Sequence, residues 1–364
     1  MIKPKALYIH IPFCNYICSY CDFTKLQYFS FDVNPYLEAL KVELESYDIK
    51  ELDTIYVGGG TPTSLSKDEL NKLLSIIDPY VKDVTEYTFE ANPDSLSRDK
   101  LKLLKDYHVN RLSIGVESTD DKVLASINRH HTFNDVIRLV KEARLVGINN
   151  INVDLILGLP HVSKMMLEKD IDNLIKLDTT HISCYSLTVS PHTAFYINKV
   201  KAPEDDLLRE YYDLVTSKLQ ASGFVHYEIS NYAKPGYESL HNLTYWRNKH
   251  YYGVGVGASG YVDNVRYTNT KNLKKYLTHQ FVDIKEVVSK KDDINYQIML
   301  NLRTIEGLDL SLFKAKYDID LLIDKKSEID ELINNKLLIL IDNKLIPTYE
   351  GMMLLDTILV KLFY

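Results

Sequence analysis

Residues 6–23 read ALYIHIPFCNYICSYCDF, and residues 54–63 read TIYVGGGTPT. In both, a short apolar run, Ala6–Ile11 or Thr54–Val57, leads into reactive or permissive residues: three cysteines in the first, three glycines and a threonine in the second. The pattern repeats downstream. Strand-like runs at Thr85–Ala91, Arg111–Val116, Asn150–Leu157 and Thr180–Leu187 alternate with helix-period stretches at Pro35–Tyr47, Lys67–Asp78, Arg98–Asp106, Phe133–Val146 and Lys164–Leu177. Strands spaced by helices of this length pair in parallel, as βα units. Six such units, short of a complete barrel, predict an α/β fold: a partial (βα)6 TIM-like barrel whose ligands sit at the C-terminal ends of its strands. The reactive residues fall at those ends. Cys14–Cys21 follows strand one, Gly58–Thr61 strand two, Glu90 and Glu117 end strands three and four, and Asp154 lies on strand five.

The remainder divides by composition. After a helix at Asp205–Ala221, the first domain is drawn at residues 1–222. Residues 223–290 are rich in Gly and Tyr and read as loops covering the barrel mouth. Residues 291–364 read as short helices, then a hairpin, Leu337–Ile341 and Lys344–Thr348, turned at Asp342-Asn343, and a last helix from Tyr349. That pattern predicts a small winged-helix-like domain.

Composition excludes several classes. The 364 residues carry 43 Lys plus Arg against 50 Asp plus Glu, a net charge of -7, which argues against a nucleic-acid platform. No apolar run approaches the roughly 18 residues of a membrane helix, and Met1–Lys5 lacks a signal-peptide pattern. The expectation is a soluble, cytoplasmic protein without a permanent membrane anchor.

Cys14, Cys18 and Cys21 have the spacing C-x3-C-x2-C. Thiolates suit zinc or iron–sulfur clusters, and a closed site of either kind needs four protein ligands. Three thiolates on a four-iron cluster leave one iron open to a chelating substrate; zinc with His10 or Asp22 as fourth ligand is the alternative. Cys184, on the sixth strand among apolar residues, reads as a small buried hydrophobe.

The strings LYIHIPFCNYICSYCDF and YVGGGTPT resemble the radical S-adenosylmethionine superfamily, and within it the branch of oxygen-independent coproporphyrinogen III oxidases and HemW-type haem chaperones. The resemblance extends along most of the chain. It implies a [4Fe-4S] cluster on Cys14, Cys18 and Cys21, with S-adenosylmethionine chelating the fourth iron. It implies a cofactor shell of Gly59, Gly60 and Thr61 in Gly58-Gly59-Gly60-Thr61-Pro62, Glu90 in FEANP, Tyr8, Tyr20, Arg129 and Asp154. Two positions depart from the family's pattern. Glu117 stands where relatives carry Gln, exchanging an amide for an acceptor-only anion, and Val162 stands near the GLP turn where relatives carry Gln. Both departures bear on reductive cleavage of the cofactor.

Residues 241–258 read HNLTYWRNKHYYGVGVGA and include the chain's single Trp. Histidine, tyrosine and glycine in this mixture suit the faces of a flat aromatic ligand, and a neutral imidazole ligates haem iron; an ordinary packed loop is the other reading. HNxxYW resembles the motif of the haem chaperones, which implies His241 as haem ligand, with His250 as a second candidate. Phe23 stands where the oxidase branch usually has a further Cys, and only 13 residues precede Cys14, where that branch carries a longer segment. The resemblance thus implies a haem chaperone delivering haem to apo-haem proteins such as respiratory-chain components. The alternative is a coproporphyrinogen oxidase, which would decarboxylate two propionate side chains by radical chemistry.

Overall fold

The computed structural model describes residues 3–364; residues 1 and 2, part of the Met1–Lys5 stretch read above for a signal peptide, lie outside the described residues. Six strands, β1 (Ala6–Ile11), β2 (Thr54–Gly59), β3 (Glu86–Ala91), β4 (Arg111–Glu117), β5 (Asn150–Leu157) and β6 (His181–Ser186), run parallel in sequence order. Their partners include Ile9 with Val57, Val57 with Phe89, Ile114 with Val153 and Leu155 with Cys184. Each strand is buried over nearly its whole length, because crossover helices cover the outer face. Those helices are α1 (Asn34–Ser46), α2 (Lys67–Ile77), α3 (Arg98–Asp106), α4 (Phe133–Leu145), α5 (Lys164–Lys176) and α6 (Asp205–Ala221). Capping boxes, Ser66 with Glu69 and Thr132 with Asp135, fix the starts of α2 and α4.

The outer face packs an aliphatic core that includes Leu7, Ile9, Ile55, Val57, Leu112, Ile114, Val153 and Leu155. The other face bears a polar network. Asn152 accepts from His181 and Ser183 and donates to Ser113, while Arg111 reaches Thr88. These groups are partnered to each other because water is excluded there.

Residues 223–290 correct the expectation of mouth-covering loops. β7 (Val225–Glu228) and β8 (Asn231–Ala233) extend the sheet beyond β6, and β9 (Tyr252–Val254) pairs in parallel with the opposite edge strand, β1. The sheet therefore has nine strands in the order β9-β1-β2-β3-β4-β5-β6-β8-β7. Between β8 and β9 lies a short helix, α7 (Leu240–Trp246), and after β9 come three antiparallel strands, β10 (Ser259–Val262), β11 (Val265–Asn269) and β12 (Val282–Val287). The segment covers exposed sheet edges, which otherwise leave backbone groups unpaired.

From Lys290 onward, helices surround a three-stranded sheet of β13 (Leu308–Asp309), β14 (Leu338–Ile341) and β15 (Lys344–Pro347), with a separate core around Ile298, Leu332 and Ile358. Asp342 and Asn343 both take positive φ, 47° and 60°, as a two-residue hairpin turn requires. The last helix comes in two pieces, Tyr349–Met353 and Leu355–Leu362.

Candidate active site at the mouth of the sheet

At the C-terminal ends of β1–β6 lies a cavity of about 410 Å³. Cys14, Cys18 and Cys21 line it together with Tyr20, Gly59, Gly60, Thr61, Glu90, Glu117, Arg129 and Asp154. Of the expected cofactor shell, Tyr8 alone does not line it. Its hydroxyl bonds His10 Nδ1 at 2.9 Å, and since His10 Nε2 must donate to the Thr24 carbonyl at 2.7 Å, Nδ1 is the acceptor and Tyr8 the donor. Burial holds His10 down at about 4, so this pair is neutral and supports the loop carrying the cysteines.

The glycine run does two jobs. A Cβ on Gly58 would lie 2.6 Å from the Glu90 carboxyl carbon, and one on Gly60 would lie 2.7 Å from Pro12 and 3.0 Å from Cys14 Sγ. The backbone therefore passes close beneath Glu90 and the first thiol. Its N–H groups are all committed: Gly59 to Glu90 (2.9 Å), Gly60 to Ile11 O (2.9 Å) and Thr61 to Phe13 O (2.8 Å). What the run still offers a ligand is acceptors, which suit an ammonium group.

Glu90 also accepts from Tyr56 at 2.8 Å, and burial raises its proton affinity. Asp154 accepts from Asn152 at 2.7 Å; burial, and then the charge of Glu117, push it up to about 7. Arg129 lies across the floor. Its guanidinium donates to Glu117 at 2.6 Å, Asn92 at 2.8 Å and the Gly115 carbonyl at 2.5 Å, and lies 3.8 Å from Cys18 Sγ. Glu117, whose amide-to-acid exchange marked it in the sequence, is thus a buried anion with its own cation. It holds φ of 67° at a bulge in the β4–β5 pairing, a local distortion that turns it toward Arg129. Val162 does not line the mouth; it packs among apolar side chains while its carbonyl accepts from Tyr211 at 3.1 Å. Asn92, Tyr56 and Tyr185 line the cavity and were missed in the sequence. For Tyr56, the two-residue alternation along β2 toward Gly58 was the available signal.

The donors discriminate between metal types. Among the described residues, no three His, Cys, Asp or Glu side chains converge as the ligands of a single ion. The three thiols instead line one cavity, and three soft thiolates without a fourth protein ligand suit an iron–sulfur cluster with one open iron better than a closed four-ligand zinc site. Burial pushes the Cys14 thiol up to about 12, so ligation there displaces a proton. Two half-buried carboxylates beside an arginine already paired leave the cavity short of positive charge, which fits a sulfonium–ammonium ligand.

The histidines expected to bind haem lie elsewhere. His241 is fully buried, 0% exposed, at the opposite, N-terminal end of the strands. Its Nδ1 bonds Thr54 at 2.9 Å, its Nε2 bonds Tyr245 at 2.8 Å, and its ring packs against that of Tyr56 in a tilted arrangement, 5.2 Å between centroids. Glu86, the first residue of β3, accepts from the Leu240 and His241 backbone N–H groups and caps α7. Trp246 lies under Arg303 and its carbonyl accepts from Asn301, so it joins α7 to the C-terminal domain. As built, HNxxYW closes the base of the barrel, and neither nitrogen of His241 is free for iron. His250 lines a different cavity. Cys184 is fully buried within the sheet.

The fold and the three-thiol mouth define a radical S-adenosylmethionine protein. Residues 8–174 match the Radical SAM superfamily and residues 288–354 the HemN C-terminal domain. The structure resembles that of coproporphyrinogen III oxidase (HemN) from Escherichia coli, a radical SAM enzyme, with a TM-score of 0.87 and 22% identity over 99% of this chain and 90% of that one. The sequence is 42% identical to the heme chaperone HemW of Bacillus subtilis over 86% of this chain and 87% of that protein. It is 38% identical to that of Lactococcus lactis over 92% and 91%, and 34% identical to that of Escherichia coli over 84% of each. The chain belongs to the HemW family of radical SAM proteins, and that membership implies a [4Fe-4S] and S-adenosylmethionine cofactor system.

Proposed function

We propose that the protein is a haem chaperone, which binds haem and passes it to apo-haem proteins, respiratory-chain components among them, from the cytoplasm and without a permanent membrane anchor. The observation that carries this reading is end-to-end similarity to proteins named heme chaperones, at 34 to 42% identity over at least 84% of the chain. Among the described residues no helix is long and apolar enough to cross a membrane. Phe23, 66% exposed on the rim of the mouth, supports the chaperone over the oxidase.

In this reading Cys14, Cys18 and Cys21 hold the cluster. Glu90 and Asp154 take the cationic and hydroxyl groups of S-adenosylmethionine, with Gly59, Gly60, Thr61 and Tyr20 beside them. When bound, the cluster supplies an open iron that chelates the methionine end of the cofactor. Arg129 keeps Glu117 as a paired anion, so that carboxylate does not compete for the ligand's positive charge. The HNxxYW segment, with His241 bonded at both nitrogens, and His250 stand away from this chemistry, as suits cargo that is carried and not transformed. Incubating the reconstituted protein with coproporphyrinogen III, reductant and S-adenosylmethionine should give no protoporphyrinogen IX; robust turnover would overturn the reading.

A further inference from the structure

Tyr56 stands in the middle of β2, opposite Tyr8 of β1 on one side and Thr88 of β3 on the other. Side chains alternate along a strand, so Tyr56 and Gly58 share the inner face, and Gly58 has no side chain to place there. The Glu90 carboxyl takes that room: a Cβ on Gly58 would lie 2.6 Å from its carbon and 2.7 and 2.8 Å from its oxygens. Tyr56, next on the same face, reaches Glu90 with its hydroxyl and donates to Oε1 at 2.8 Å, while the Gly59 N–H donates to Oε2 at 2.9 Å. The carboxylate is gripped at both oxygens.

The ring that holds it is itself held. Tyr56 packs in tilted arrangements against Tyr8, 6.1 Å between centroids, and His241, 5.2 Å. Both neighbours are fixed in turn, Tyr8 by His10 and His241 by Thr54 and Tyr245. Glu90 therefore cannot turn without losing its donor. An ionised carboxylate offers about four acceptor sites, so one donor on each oxygen leaves about half of them open, in fixed directions.

Glu90 also differs from the other acids of the mouth. Among the described residues the ion pairs of the inner face are Arg111 with Glu86 and Arg129 with Glu117, and Glu90 has none. Asp154 has the Asn152 amide. A carboxylate in a cavity wall without a cation depends on the donors that meet it, and Glu90 has acceptor sites to spare for N–H groups brought by a ligand.

We propose that Tyr56 is the positioning residue that makes this mouth select ligands bearing an amino group. By fixing Glu90 it presents acceptors to the amino N–H groups at the methionine end of S-adenosylmethionine, and these give nothing to an adenosine thioether that lacks that end. The proposal rests on the cofactor assignment made above and adds the residue that sets its selectivity. Tyr56 acts through Glu90.

The test is calorimetric titration of the full, anaerobically reconstituted protein with S-adenosylmethionine, S-adenosylhomocysteine and 5′-methylthioadenosine, in wild type, Tyr56→Phe, Glu90→Gln and the double variant. The first two ligands carry the amino group; the third has the adenosine and thioether alone. Tyr56→Phe keeps the ring between Tyr8 and His241, so cluster absorbance should stay that of the wild type. Expected is an about tenfold loss of affinity for both amino-bearing ligands, as for one hydrogen bond to a charged group, with methylthioadenosine binding unchanged. In the Glu90→Gln background the same substitution should cost less than about twofold, because the two residues act as a unit. Three ligands weakened alike, none weakened, loss confined to the sulfonium ligand, or additive losses in the double variant would each overturn the role of Tyr56 and leave the cofactor assignment standing. A wild type that binds no S-adenosylmethionine would overturn both.

Discussion

Replacing His241 separates a structural from a ligating role. The side chain is fully buried, packed against Tyr56, and bonded at both nitrogens. His241→Ala removes a buried ring, a change that costs about 3–5 kcal/mol when an aromatic ring is lost from a core. It also leaves the Thr54 and Tyr245 hydroxyls without partners, at about 1–3 kcal/mol each unless water enters. His241→Phe keeps the ring volume and loses the two hydrogen bonds, so it should cost about 2–4 kcal/mol. Against a total stability of about 5–15 kcal/mol, the Ala variant gives up a large fraction. Urea unfolding of the cluster-free protein, followed by the fluorescence of Trp246 on the same helix, should order the proteins as wild type, Phe, Ala. Burial, with Arg111 contributing, holds His241 down at about 3, whereas in the unfolded chain it takes up a proton below its ordinary value, so the wild-type advantage over both variants should shrink as pH falls from 8 to 5. An Ala variant within about 0.5 kcal/mol of wild type, the range of an ordinary surface change, would refute the reasoning.

Three further outcomes follow from the geometry. Arg129→Met strands Glu117 in the mouth and should destabilise the protein by about 3–5 kcal/mol, whereas Arg129→Met with Glu117→Gln should recover much of that loss; denaturant midpoints that show no coupling would contradict the pairing. Burial pushes Glu43 up to about 7, so the native state holds a proton that the unfolded chain has released. Wild-type stability should therefore fall by up to about 3 kcal/mol relative to Glu43→Gln as pH rises from 4.5 to 7, and parallel pH profiles would count against it. Cys18→Ala should abolish the cluster's visible absorbance while circular dichroism stays that of the wild type, since the core does not depend on this loop; loss of secondary structure would contradict that.

What could be read from the sequence was what is local and repeated. The parallel strands showed themselves because each is a largely apolar or β-branched run of four to eight residues alternating with helix-period stretches, and the mouth residues because they end those strands. The edge strands β7, β8 and β9 have three or four residues each, too few for an alternation to declare itself. Their placement depends on which sheet edge is left unpaired, and that is a property of the whole barrel. The partnership of Arg129 with Glu117 spans twelve residues and a bulge, so the acid looked like a defect until its cation was seen. The surroundings of His241 were hidden for a related reason. Its chemistry suits iron, but its partner Thr54 lies 187 residues away, at the end of the strand opposite the mouth. The cavity that His250 lines draws on the N-terminal residues, the α7–β10 segment and the C-terminal domain, and no single stretch of sequence announces it.

A chaperone must hand on the haem that it carries. Mixing anaerobically reconstituted, hemin-loaded protein with an apo-haem protein, such as an apo-cytochrome, and following the acceptor's Soret band and recovered function after separation of the two measures that step directly. Haem should move to the acceptor, with the donor losing haem and keeping its cluster. Haem that stays on the donor, or that reaches the acceptor no faster than free hemin does, would contradict it.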